Sequence, residues 1–159
     1  MIHLAFFKAE YGGLFSKAIK LKTSSDYSHV EMIFPQHKIY DPVKDRMLSL
    51  CFSSYEKEGG VRFKFIHINP EKWDIITIPI EEYKIPKLLA YAASLCDCKY
   101  DWAGIFGFVL PFIRQRPTRF FCSEVVVYVL QQTFNKFPEL ISHKTSPGDL
   151  FKYLINAES

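Results

Sequence analysis

The hydrophobic period of this chain changes once, near Glu81, and that change constrains the fold more than any single motif. Before it, apolar residues alternate or run in short blocks, the pattern of strands. Ile2–Lys8, Tyr27–Phe34, Lys38–Asp41, Met47–Ser53, Val61–Ile68 and Ile75–Ile80 read as strands, with one short helix around Leu14, Ala18, Ile19 and Leu21. Pro35-Gln36-His37 reads as a turn that makes Tyr27–Phe34 and Lys38–Asp41 a hairpin. After Glu81, Ile85, Leu88, Leu89, Ala92, Ala93 and Cys96 follow helical spacing, with Pro86 in the first turn and an end near Cys98. A second helix starts at Cys122 and carries Val125, Val126, Val129 and Leu130 on one face, stopping near Phe134. Ser146-Pro147-Gly148-Asp149 combines a serine N-cap, a proline at N1 and a carboxylate at N3, and it opens a last helix with Leu150, Phe151, Leu154 and Ile155 inward. There is no repeat, linker or composition break, so residues 1–159 read as one domain.

Charge and composition narrow the function. The net charge is +3 with no dense basic stripe, which argues against a nucleic-acid partner. No run of 18 apolar residues occurs, and the N-terminus lacks the basic and apolar regions of a secretion signal. The expectation is a cytoplasmic protein whose cysteines, Cys51, Cys96, Cys98 and Cys122, are reduced thiols. Cys96-Asp97-Cys98 does not have zinc-pair spacing, and no metal or other cofactor is expected. The apolar stretch Trp102–Ile113, followed by Arg114, Arg116 and Arg119, fits a buried connection or a contact with a membrane interface.

Three residues stand out chemically. Cys122 sits at the first turn of its helix on the inward side, where unpaired N–H groups and the dipole favour a thiolate. His29 projects from a strand whose opposite face, Val30, Met32 and Phe34, is apolar; a rigid strand suits a catalytic base. In the hairpin reading, Asp41 ends the return strand and approaches His29, where a carboxylate would fix the imidazole tautomer. Glu31 competes for that role, because it shares a face with His29, but two positions along a strand are about 6.5–7 Å apart. Tyr27, on the same face, is a candidate accessory donor. Cysteine, histidine and carboxylate are the parts of a thiol-nucleophile triad, and triads are recognised by role and not by chain order.

Tyr27-Ser28-His29-Val30-Glu31-Met32, with Phe121-Cys122-Ser123-Glu124-Val125-Val126 downstream, resembles the circularly permuted NlpC/P60 superfamily of papain-like proteins, in particular its YiiX-like branch. Tyr100-Asp101 and Ser146-Pro147-Gly148-Asp149-Leu150 resemble that branch too. The resemblance implies an α+β fold, an antiparallel sheet or barrel packed against helices. It implies Cys122 as nucleophile, His29 as base and a polar third residue on the following strand, which falls on Asp41. The expected activity is a cysteine peptidase or amidase reaction on a peptide or acyl-containing small molecule, through a thioester acyl-enzyme. Lecithin:retinol acyltransferase-like proteins, distant members of that superfamily, make a lipid-directed thioesterase or acyltransferase the second reading. A non-catalytic ligand-binding module is the third.

Overall fold

In a computed structural model of the chain, residues 1–101 and 118–157 are described. The architecture is α+β. Seven strands, β1 (Ile2–Lys8), β2 (Tyr27–Asp41), β3 (Arg46–Tyr55), β4 (Gly60–Ile66), β5 (Trp73–Ile78), β6 (Lys99–Tyr100) and β7 (Arg119–Phe120), form one sheet in the order β5-β1-β2-β3-β4-β6-β7. All described pairs are antiparallel except β6 with β7. Among the described residues four α-helices accompany the sheet: α1 (Leu14–Thr23), α2 (Ile85–Ala93), α3 (Cys122–Phe134) and α4 (Pro147–Ala157).

The strands alternate as their side chains predict. Val30, Met32, Phe34 and Phe52 point to the face covered by α2, α3 and α4, and they share one apolar core with those helices. Helix α3 is buried well beyond one face: every residue from Cys122 to Val127 is buried, Ser123 and Glu124 included. Each fully buried Val or Leu stabilises the fold by roughly 1.5–3 kcal/mol, so α3 is the keel of the molecule. The buried Ser123 hydroxyl donates to the Thr145 carbonyl at 2.7 Å, and a Glu124 carboxylate oxygen accepts the Phe121 N–H at 3.3 Å. The cap of α4 forms as its sequence predicts: the Ser146 side chain accepts the Asp149 N–H at 3.1 Å, and Asp149 accepts the Ser146 N–H at 3.1 Å.

Two sequence expectations are corrected. Helix α2 ends at Ala93 and not near Cys98, because the chain tightens into i→i+3 bonds from Leu95 to Ala92 and from Cys96 to Ala93. The hairpin at Pro35-Gln36-His37 does not exist. Tyr27–Asp41 is one strand, paired with β3 up to Phe34 and again from Lys38, with the three intervening residues bulged out. Proline is tolerated there because the ladder with β1 reaches only to Ile33, so its missing N–H leaves no pair unmade. The real β2–β3 turn comes after Asp41. Trp102–Ile113 lies outside the described residues, and among the described residues no helix is long and apolar enough to cross a membrane.

Candidate active site

The cysteine is delivered by the last two strands. Lys99 and Tyr100 pair with Arg119 and Phe120, and the Ser54 hydroxyl donates to the Phe120 carbonyl at 2.6 Å. Phe121, extended at φ −95° and ψ 176°, is the N-cap residue, which makes Cys122 the first residue of α3. The thiol is 4 % exposed. By its position the Cys122 N–H has no partner within the helix.

The histidine is delivered by a bulge. Phe7 pairs with His29 and Lys8 with Tyr27, so Ser28 is the extra residue in β2. A bulge bends the strand and re-aims its side chains. His29 packs against the rings of Tyr55 and Trp73. Its Nε2 meets Glu31 Oε1 at 2.8 Å, and the Cys122 thiol lies near enough to the ring to favour its charged form. Burial alone pushes the imidazolium down, but Cys122 and Glu31 together outweigh it and hold the pKa up at about 10.

Glu31 is 1 % exposed and would be costly to bury alone. Arg62 compensates it: Nη1 donates to Oε2 at 2.8 Å and Nη2 to Oε1 at 2.5 Å. In register, Met32 of β2, next to Glu31, pairs with Phe52 of β3, and the neighbouring Ser53 pairs with Arg62 of β4. The small Ser53, its hydroxyl turned aside to the Val30 carbonyl at 2.7 Å, lets the guanidinium cross a whole strand to reach its partner. Arg62 Nε donates to Glu58 at 2.5 Å, and Lys64 joins Glu58 as well. A continuous chain of alternating charge thus runs Glu58, Arg62, Glu31, His29. Burial opposes the charge on Glu31, yet the bonds from Arg62 and His29 hold its carboxyl below the usual range.

The structure brings together Cys122, His29 and Glu31, and not Asp41. Asp41 lies twelve residues beyond His29 on the same strand. There it accepts the N–H groups of Val43 at 3.1 Å and Lys44 at 3.3 Å and faces Arg46 at 3.6 Å. Its residue type suits a turn, and that is where it is used. Glu31 reaches His29 despite the backbone spacing because two long side chains lean toward each other. Tyr27 is not an accessory donor at the site. The bulge separates it from His29, its ring packs on Phe6 and Phe151, and its hydroxyl donates to Asp74 at 2.7 Å. Arg62 was not singled out from sequence. The available signal was chemical: a carboxylate on a buried strand needs a cation within two strands of it.

A cavity of about 770 Å³ opens on this chain of charges and is lined by Ser28, His29, Tyr55, Arg62, Trp73 and Tyr100 among others. Glu56, Lys57 and Glu58 form part of its wall, which places the Glu56–Gly60 turn at the site. Gly60 is obligatory there: its φ is +156°, and a Cβ would lie 2.2 Å from the Cys98 carbonyl oxygen.

The raised pKa of His29 makes a stability prediction. The folded-state pKa of about 10 lies above the unfolded value of 6.5. The stabilisation is therefore complete below pH 6.5 and is lost as pH rises through 10. Each unit is worth about 1.4 kcal/mol, so the loss over this window is on the order of a few kcal/mol. Urea unfolding from pH 6 to pH 10 should show this decline in the wild type and a flatter profile in His29→Gln.

No family model matches the chain, and no curated protein matches it in sequence.

Proposed function

We propose that the protein is a cysteine hydrolase that cleaves an amide bond, of peptidase or amidase type, through a thioester acyl-enzyme. Cys122 is the nucleophile, His29 the general base and acid, and Glu31 the group that orients His29. The observation that carries this reading is one buried imidazole bonded to a buried carboxylate at 2.8 Å and within electrostatic reach of a helix-initial thiol. That is the arrangement of nucleophile, base and orienting group that covalent catalysis requires. The sheet packed by helices and the helix-initial cysteine also fit a permuted papain-like fold of the NlpC/P60 type, YiiX-like branch.

In this reaction His29, its pKa held up, already carries the proton drawn from the thiol when substrate binds, and sulfur attacks the carbonyl carbon. A C–S bond forms while the π pair moves onto oxygen. Collapse of the adduct breaks the C–N bond, and His29 gives its proton to the leaving amine. Water, deprotonated by His29, then attacks the thioester and frees Cys122. Glu31 stays ionised throughout, held so by Arg62, and stabilises the imidazolium. The aromatic walls of the cavity, Trp73 and Tyr55, favour an apolar acyl group beside His29, so a lipid-directed thioesterase or acyltransferase is the second reading.

Kinetics of Glu31→Gln and Asp41→Asn on peptide anilides and acyl thioesters test the assignment. Glu31→Gln should lower kcat/KM by about 10²–10⁴-fold, as loss of an orienting carboxylate does. Asp41→Asn should stay within about twofold of wild type, as surface positions do. The reverse order would sink the Glu31 assignment. The better substrate class separates amidase from thioesterase.

A further inference from the structure

One buried side chain at the site makes no hydrogen bond among the described residues. The hydroxyl of Ser28 is buried, the residue is 4 % exposed, and among the described residues Ser28 Oγ has no hydrogen-bond partner. The other buried serines are all engaged. Ser25 accepts the Tyr27 N–H, and Ser53, Ser54 and Ser123 donate to the carbonyls of Val30, Phe120 and Thr145. Ser146 caps α4. A buried hydroxyl left unpaired destabilises a free protein, and such groups gather where a ligand completes them. Ser28 is also the residue that the β2 bulge inserts beside His29, and it lines the same cavity.

The N-terminus of α3 supplies the other half. The N–H of Cys122 is unpaired by its helical position, and the dipole of a thirteen-residue helix favours negative charge there. We infer that Ser28 Oγ and the Cys122 N–H together form an oxyanion site, in which the Ser28 hydroxyl donates to the substrate carbonyl oxygen as sulfur adds to the carbon. This rests on the thiol-hydrolase reading above. The ligand is a carbonyl compound, ester, thioester or amide, whose C=O π pair becomes the oxyanion. Ser28 keeps its proton throughout, so it polarises and does not transfer. It is a catalytic residue in the strict sense that it touches the reacting oxygen.

The test uses two reagents that share the nucleophile and differ in the oxyanion. Iodoacetamide alkylates sulfur by displacing iodide, with no charge built on a carbonyl oxygen. p-Nitrophenyl acetate acylates sulfur through a tetrahedral oxyanion and releases p-nitrophenolate. In Ser28→Ala the acylation burst rate should fall about 10²–10³-fold, the usual loss of one oxyanion donor. Alkylation of Cys122 should stay within about twofold, because uniform thiol reactivity is untouched. Tm should be unchanged or higher, since an unpaired buried hydroxyl is removed. Ser28→Thr, which keeps the donor, should recover most of the acylation rate.

A fall in alkylation parallel to acylation, an acylation rate equal to wild type, or a loss of Tm in Ser28→Ala would each overturn the role of Ser28. Failure of the underlying reading looks different. In that case wild-type Cys122 is neither alkylated nor acylated ahead of Cys51, Cys96 and Cys98, whatever stands at position 28, and the oxyanion site falls with it.

Discussion

Cys122→Ala should abolish turnover while the fold survives. Loss of a covalent nucleophile costs on the order of 10⁴–10⁶-fold in kcat, because the residual rate then comes only from binding and electrostatics. The substitution itself is gentle. Cys122 is a small, buried residue at a helix start, and alanine is the best helix former. The helix keeps its valine and leucine contacts, so far-UV circular dichroism and Tm should stay close to wild type. Intact mass after incubation with p-nitrophenyl acetate gives the second readout. Wild type should gain one acetyl group that peptide mapping places on Cys122, and Cys122→Ala should gain none at that rate. An acetyl group that persists elsewhere with undiminished turnover would remove Cys122 from the chemistry.

Arg62→Met should be the most damaging single change to the fold. It leaves Glu31, 1 % exposed, without the two bonds that compensate its charge. Breaking one side of a buried ion pair costs about 3–5 kcal/mol, a large share of the stability of a domain this size. Part of that loss is recoverable by protonating Glu31, whose carboxyl is no longer held down. The variant should therefore lose less stability relative to wild type at acidic than at neutral pH, the sign expected when a depressed carboxylate pKa rises. Arg62→Met combined with Glu31→Leu should be more stable than Arg62→Met alone, since the orphaned charge is gone. Urea unfolding at pH 5 and pH 8 reads all three effects. A neutral Arg62→Met would mean that solvent, and not Arg62, carries the charge of Glu31.

The elements that the sequence disclosed are those whose signals are local. Helix α3 could be bounded at both ends because Cys122 opens the apolar spacing and Asn135, at φ +52°, closes it as residues tolerant of that region do. The α4 cap was legible for the same reason, since serine, proline and aspartate act within one turn. Cys122, at the start of α3, and His29, on β2, could be singled out by residue type and local pattern. What failed was register. Pro35-Gln36-His37 has turn composition, and only the fact that β1 stops pairing at Ile33 shows that a proline can ride through on an open edge. That single misreading moved Asp41 to the site and demoted Glu31. Arg62 was invisible because its role depends on Ser53 lying between two strands, a relation set by pairing and not by spacing along the chain.

The short parallel pair of β6 and β7 has a consequence for how such a site diversifies. Asp101 N–H donates to the Phe120 carbonyl at 3.1 Å and Lys99 N–H to the Thr118 carbonyl at 3.0 Å, so residues 99–101 and 118–120 are fixed against each other at the rim of the sheet. Closing a longer or shorter excursion between two fixed posts costs little, since loop entropy grows only with the logarithm of length. Sequence inserted or exchanged between those posts does not move Cys122, which hangs from the second of them. The position of Cys122 and the length of chain between residues 101 and 118 are therefore free to change on separate schedules.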